Sequence, residues 1–330
     1  MEIKIKWGIL STAWIATEFV IPAMLKSNFC EITAIASRTE KKAKDAAKRF
    51  KISKHYASYQ DLLDDTAIDA VYIPLPNHLH VEWAIKALQA GKHVLVEKPI
   101  ALSSVEARKL LDVAKKHPKL KIKEAFMYRH HPQWIKAKRM IKKGEIGELK
   151  AIQSSFSFFD DNPNSIVNKK ELGGGSLMDI GCYPISISRY LFNAEPKSVS
   201  ATIEYDPTSK VDILSSGILE FEKGICTFFS AIQLMENQYV KVFGTEGYIE
   251  FNVPFNPSAN EPSKIWLVKE DVKKEIEFEV CDQYTLQADA ISLAILENRK
   301  VKTGLDDAVK NMIIIEKLME SDKLGKRINL

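Results

Sequence analysis

No apolar run in this chain reaches the ~18 consecutive residues that a membrane span needs, so a membrane protein is not expected. Cysteine is scarce. The four present, Cys30, Cys182, Cys226 and Cys281, lie far apart and form no CxxC pair. That spacing speaks against a disulfide framework and a thiolate metal site, and it fits reduced thiols in a cytoplasmic protein. An excess of one charge is also lacking: 47 basic against 43 acidic side chains leave a formal charge of +4. Nucleic acid is therefore not an expected partner. The densest basic stretch, Lys41 to Lys54, is interrupted by Asp45 and by alanines, which is the pattern of a solvated helix face. Internal repeats and low-complexity segments are absent too. The start, Met1-Glu2-Ile3-Lys4-Ile5-Lys6, alternates polar and apolar residues and predicts a strand rather than a signal peptide.

What is present is a chain of 330 residues, more than one core usually absorbs, so two domains are expected. Over the first third, short apolar runs alternate with helical patterns. Strands are predicted at Ile3–Leu10, Glu31–Ser37, Asp69–Pro74, His93–Val96 and Lys121–Met127. Helices are predicted at Ala13–Lys26, with a kink at Pro22, at Lys41–Phe50, at Asn77–Ala90 and from Ser103 to Lys116, where Ser103-Ser104-Val105-Glu106 has the form of a capping box. Such alternation means βαβ units and a parallel sheet with helices on both faces. Beyond a helix at Pro132–Lys143 the pattern changes. Long strands dominate (Leu149–Phe159, Val199–Tyr205, Leu214–Glu222, Ile225–Leu234, Tyr239–Val242, Gly247–Val253, Ile265–Val268), with turn signals such as Glu222-Lys223-Gly224 between them. One helix interrupts them at Ser176–Phe192, and two more follow near 284–297 and 305–321. The fold class expected is an α/β domain of Rossmann type over residues 1–125, then an α+β domain over 126–330 with a large, mostly antiparallel open sheet. Ligands of open α/β sheets bind at the carboxyl ends of the strands.

Glycine is missing where a nucleotide site most often has it. The first strand ends in Gly8-Ile9-Leu10-Ser11-Thr12-Ala13, and Ser11, Ala13 and Ala16 stand at GxGxxG spacing with small residues in place of glycine. The position is right: the segment leaves the first strand and opens the first helix, whose N-terminal N–H groups can take a pyrophosphate. The acidic residue that an NAD site places at the end of the second strand is missing as well. Ser37 and Arg38 stand there, and a guanidinium fork suits a 2′-phosphate. This favours NADP(H), with NAD(H) left open. His78 and His80 are i, i+2 and face apart on a helix, so no metal site is expected.

Four segments, in this order and spacing, carry a resemblance. They are Gly8-Ile-Leu-Ser-Thr-Ala, Pro76-Asn77-x-x-His80, Glu97-Lys98-Pro99, and the run from Gly173 through Asp179, Gly181 and Tyr183 to Pro184. Together they resemble the Gfo/Idh/MocA oxidoreductases over nearly the whole chain. Glu124-Ala125-Phe126-Met127-Tyr128-Arg129 and Tyr183 resemble the branch of dihydrodiol dehydrogenase and NADP-dependent D-xylose dehydrogenase. The inositol branch carries histidine where this chain has Tyr183, which speaks against inositol. The resemblance implies an NAD(P)-dependent oxidoreductase moving a hydride between nicotinamide and a secondary alcohol or carbonyl of a cyclic sugar or diol. It also implies a homodimer or homotetramer formed through the second domain's sheet. It carries Pro74, Pro76, Asn77, His80, Glu97, Lys98 and Arg129 into the cofactor site, beside Gly8, Ser11, Thr12, Ala13, Ser37 and Arg38.

Three residues are the catalytic candidates. Lys98 leaves a buried strand at the sheet's carboxyl edge and suits stabilisation of a developing alkoxide. Asp179 and Tyr183, spaced i, i+4, face one way on a helix. Tyr183 suits proton transfer, and Asp179 suits a substrate hydroxyl or the orientation of Lys98. Other readings stay open: a helix cap for Asn77 and, through Ser176-Leu-Met-Asp179, for Asp179; a core aromatic for Tyr183; a helix-entry role for His131. Gly181 would let a ligand approach closely. Phe159, with Phe158 and Asp160, stands at the end of a second-domain strand and is a substrate-contact candidate. Two alternatives stand beside a dehydrogenase: a sugar ketoreductase of anhydrofructose reductase type, or a non-catalytic NADP(H)-binding redox sensor.

Overall fold

The structure, a computed structural model, describes residues 3–330. Met1 and Glu2, the start of the alternating run that predicts a strand, lie outside the described residues. The first segment of the chain gives β1 (Ile5–Leu10), α1 (Ile21–Met24), β2 (Cys30–Ala36), α2 (Glu40–Phe50), β3 (Lys54–Tyr56), α3 (Tyr59–Asp64), β4 (Ala70–Ile73), α4 (His80–Gln89), β5 (His93–Val96), α5 (Ser104–Lys116) and β6 (Ile122–Glu124). Next come α6 (Pro132–Lys142), β7 (Leu149–Phe159), α7 (Cys182–Phe192), β8 (Ser198–Tyr205), β9 (Asp212–Glu220), β10 (Ile225–Ala231), β11 (Gln233–Gly244), β12 (Tyr248–Phe251), β13 (Ser263–Lys269) and β14 (Val272–Phe278). The chain closes with α8 (Gln283–Leu296), α9 (Leu305–Leu324) and β15 (Ile328–Asn329).

Two compact units result. The first holds the chain up to His130 together with Asp282–Val309. The second holds His131–Cys281 with Lys310–Leu330, so the division falls inside α9. In the first unit six strands run in the order β3-β2-β1-β4-β5-β6, every pair parallel. This is the doubly wound order with its crevice at the carboxyl ends of the strands. β4 is buried at every position, as a strand covered on both faces must be. Gly8 in β1 leaves room for Leu62 of α3, with which an added Cβ would collide. α8 packs against β1 and β2, and the fully buried Trp7 donates its indole N–H to Ser292 of α8 at 3.1 Å.

The helix expected over 13–26 is interrupted, and not by a simple kink. Ala16–Val20 forms a π-helical turn in which the Ile21 N–H reaches back to the Ala16 carbonyl. Pro22, which has no N–H to donate, sits at the start of the α-helical turn that follows. At α5 the expected box forms in part: Ser103 caps the helix by accepting from the Glu106 N–H, while the Glu106 carboxylate accepts from the Leu102 N–H, one residue before the cap.

In the second unit nine strands run in the order β14-β13-β12-β11-β7-β10-β9-β8-β15. All neighbours are antiparallel except β10 and β7. The predicted strand Ile225–Leu234 splits at Ile232, where β10 ends and β11 begins. β14 was not expected, because Val272–Phe278 is largely charged. Its alternation marks a strand with little to bury, and it pairs with β13 at the sheet edge.

Candidate active site

The first unit builds its site around the residues just past β5. The Glu97 carboxylate accepts from the Tyr72 hydroxyl at 2.6 Å and from the backbone N–H of Lys98 at 3.2 Å. The Ile100 N–H donates to the Glu124 carboxylate at 2.7 Å, from the end of β6. The Pro99 carbonyl lies 2.8 Å from Nδ1 of His80, whose Nε2 lies 2.7 Å from the Leu75 carbonyl. The Lys98–Pro99 peptide is cis. Three side chains, from β4, α4 and β6, thus hold four consecutive residues at the carboxyl edge of the sheet. Lys98 itself is half-buried there.

Glu97 and His80 were expected at the cofactor. Bonds at their polar atoms run to Tyr72 and to the backbone. Asn77 opens a short 3-10 turn, Asn77–Leu79, and Leu79 stands at the cap position of α4 without a side-chain cap bond. Pro74 is buried and Pro76 half-buried on either side of Leu75. Arg129 is buried. Its guanidinium pairs with Asp307 at 2.8 Å and its Nε donates to the Tyr128 hydroxyl at 3.1 Å.

At the end of β1, Ser11 occupies the place of the fingerprint's first glycine and adopts a φ of 140°, a conformation that favours glycine. Ser11, Thr12 and Ala13 are half-buried. At the end of β2, Ser37 is buried and its Oγ accepts from the Thr39 N–H, while Arg38 is exposed. Among the described residues Arg38 makes no ion pair.

The site also includes a residue that the sequence pattern did not single out. Tyr284, on the first turn of α8, packs against Phe19 with ring centroids 5.7 Å apart. Burial raises the pKa of its phenol, and the Glu97 carboxylate raises it further while Lys98 acts the other way. Tyr284 therefore lies within electrostatic reach of Glu97 and Lys98. Nothing local in the sequence reports this, because almost two hundred residues of chain separate α8 from β5.

The second unit carries the other two catalytic candidates on one helical path. Leu177–Gly181 is a π-helical turn that runs directly into α7, so Asp179 and Tyr183 lie about one turn apart. The capping-box reading of Ser176 and Asp179 is not what forms: Ser176 makes no cap bond. Asp212 of β9 does the work from across the chain. Its Oδ2 accepts from the Leu177 N–H at 2.6 Å, from the Ser176 hydroxyl at 2.8 Å and from the Ser215 hydroxyl at 2.9 Å. The glycines before it serve this packing. Gly175 has a φ of 111°, and a Cβ there would collide with Asp212; one on Gly174 would collide with the Val167 carbonyl. Gly181 likewise makes room for Ser230 of β10.

Asp179 is half-buried. Tyr183 is only 4% exposed, and its ring packs against Phe156 and Phe255 at 5.5 and 5.2 Å between centroids. His131 takes the helix-entry role: its ring accepts from the Gln133 N–H at the start of α6. Phe159 is 64% exposed at the end of β7, next to a half-buried Phe158. The Asp160 N–H donates to the Ile232 carbonyl.

Comparison with known proteins gives this arrangement its place. Residues 5–124 match an oxidoreductase family with an NAD-binding Rossmann fold, and residues 134–250 match the GFO/IDH/MocA C-terminal domain. The chain belongs to the Gfo/Idh/MocA oxidoreductase family. Among its relatives is an uncharacterized oxidoreductase of Rhizobium meliloti, 41% identical, which covers 97% of this chain and 98% of its own. A D-xylose 1-dehydrogenase (NADP(+)) of Haloferax volcanii is 35% identical over 98% of this chain and 99% of its own. The crystal structure of KijD10, a 3-ketoreductase from Actinomadura kijaniata in complex with NADP and TDP-benzene, superposes with a TM-score of 0.91. It is 28% identical and covers 96% of this chain and 98% of that one. As a Gfo/Idh/MocA protein the chain is an NAD(P)-binding oxidoreductase, and its two sheets are those the sequence led one to expect.

One buried base near Arg129 makes a pH dependence. Lys123, 2% exposed, donates to the Lys302 carbonyl and the Thr303 hydroxyl, both at 3.1 Å. Burial, and then the Arg129 guanidinium, lowers its pKa from 10.5 to about 7. The unfolded chain therefore binds more protons than the folded one between these values, and stability rises with pH across that window. In urea unfolding from pH 7 upward, Lys123→Met should remove this part of the rise. An unchanged slope in the variant would show that Lys123 does not cause it.

Proposed function

We propose that this protein is an NADP(H)-dependent dehydrogenase or reductase of a cyclic sugar or vicinal diol, with an aldose oxidised at C1 as the leading substrate class. The observation that carries this is the turn Glu97-Lys98-Pro99-Ile100, fixed by three side chains at the carboxyl edge of a six-stranded parallel sheet. The relative named for D-xylose and NADP(+) supports the substrate class and the cofactor. KijD10, a 3-ketoreductase, supports a second direction, reduction of a keto sugar.

The residues present fit the cofactor. The turn Ser11-Thr12-Ala13 keeps small side chains and a glycine-like φ at Ser11, which allows close approach to a pyrophosphate. No acidic side chain closes the end of β2, and the exposed Arg38 is available to a 2′-phosphate. Bound nicotinamide supplies or accepts the hydride. Lys98 offers an ammonium to the reacting oxygen, where it stabilises the alkoxide that develops. Tyr183 or Lys98 moves the hydroxyl proton, and Asp179 binds a neighbouring hydroxyl. Phe159 offers an apolar surface to the substrate. Gly8, Pro74, Pro76, Asn77 and Arg129 shape the cofactor crevice rather than react.

A panel of aldoses, keto sugars and diols with both cofactors tests the assignment. Lys98→Met and Tyr183→Phe should each lower kcat by ~10²-fold or more, the scale of a lost acid or base, while NADPH affinity stays nearly unchanged. Full turnover in both would refute the roles. No turnover with any substrate, despite tight NADPH binding, would favour a redox sensor. Arg38→Asp should reverse the preference, weakening NADPH far more than NADH; equal weakening of both would mean that Arg38 does not read the 2′-phosphate.

The second unit is assigned to substrate binding and self-association in a cytoplasmic homodimer or homotetramer. Ile218 and Ile225, each 42% exposed on adjacent strands β9 and β10, leave apolar surface on its sheet. Light scattering should give two or four times the chain mass, and charge placed by Ile218→Glu should lower it. A monomer at working concentration would remove this part of the proposal.

A further inference from the structure

Trp14 is the one exposed tryptophan among the described residues, with 69% of its surface open. It does not stand alone. Phe19, 39% exposed, packs edge-on against it with ring centroids 5.0 Å apart. Residues five apart face well away from each other on an α-helix. The π-helical turn Ala16–Val20 holds the extra residue that brings these two together, and such turns occur often at functional sites. The aromatic strip continues to Tyr284, 5.7 Å from Phe19, and Tyr284 lies within electrostatic reach of Glu97 and Lys98. A joined pair of open aromatic rings marks a binding surface where a single scattered one does not.

The two ends of this strip match the two ends of one half of a dinucleotide. Trp14 directly follows Ser11-Thr12-Ala13 and precedes the first backbone bonds of the turn, which run from the Ala16 and Thr17 N–H groups to the Ala13 carbonyl. A pyrophosphate is received at this turn. From there the nicotinamide must reach the reacting oxygen at Lys98, along the interval that the three rings line. We propose that the Trp14 indole is a cofactor contact that stacks on the nicotinamide ring and favours its oxidised form. The proposal rests on the pyrophosphate lying at residues 11–13 and the reacting oxygen at Lys98. Its ground is charge. The oxidised ring is a cation and the reduced ring is neutral, and indole offers a cation the best face of any side chain. The Lys98 ammonium opposes the oxidised ring whatever stands at position 14, so its effect cancels between variants.

Calorimetric titration of the full chain with NADP+ and with NADPH, in the wild type and in Trp14→Leu, tests this without turnover. The variant should bind NADP+ ~10-fold more weakly, the scale of a lost cation–aromatic contact, and should lose less affinity for NADPH. Trp14→Phe, which keeps a ring face, should fall between. A second readout is optical. Stacked indole and oxidised nicotinamide give a charge-transfer absorption, which NADP+ should produce in the wild type and not in Trp14→Leu. Equal weakening of both cofactor forms, unchanged affinity for NADP+, or an absorption that survives in Trp14→Leu would each overturn the proposal. A wild type that binds neither form would sink the dinucleotide reading itself, whereas a variant that matches a binding-competent wild type sinks only the role of Trp14.

Discussion

Everything in the first unit's site depends on fixing a stretch of backbone that belongs to no helix or strand. Residues 97–100 leave β5 and have no ladder to hold them. Tyr72 binds the Glu97 carboxylate, His80 reaches the Pro99 carbonyl and Glu124 takes the Ile100 N–H. Each anchor comes from a different neighbouring element. The polar groups of an irregular turn at a sheet edge must find partners, and here charged or ionisable side chains provide them. The backbone that carries the lysine is thereby held in place.

The second unit solves a similar problem differently. A π-helical turn opens α7, and a buried carboxylate from a distant strand, Asp212, binds its first N–H and the flanking hydroxyls. The run of glycines before the turn lets that carboxylate approach. Burial raises its pKa while these three donors lower it, so the bonds offset part of the desolvation of a nearly inaccessible group.

Much of the fold was legible because its signals are periodic. Four-residue apolar runs such as His93–Val96 announced a parallel sheet, and β7 and α5 were read with the bounds they have. Short or charged elements such as β3 and β14 carry too little pattern to be seen. The site was legible as a list of residues, and less so as a set of roles. Glu97 and His80 were picked out by their motifs, but their bonds to Tyr72 and to the backbone are visible only in the structure. The closeness of Gly181 to Ser230 is visible only in the structure. Asp212 and Tyr284 were not read at all, because each reaches its partner across a long stretch of chain that no local window spans.

The first unit's dependence on both ends of the chain has a consequence during synthesis. Trp7, Ser27 and Cys30 find Ser292 and Asp289 on α8, more than two hundred residues later. At ~5–20 residues per second, a ribosome needs on the order of ten seconds or longer to pass from the end of β6 to the end of α8. Through that interval the six-stranded sheet stands with the face that α8 will cover open to water. The intervening unit, contiguous but for its last helix and strand, is synthesised in the meantime. A nascent chain of this protein thus carries an unfinished nucleotide fold for most of its time on the ribosome, and that is where chaperones would find it.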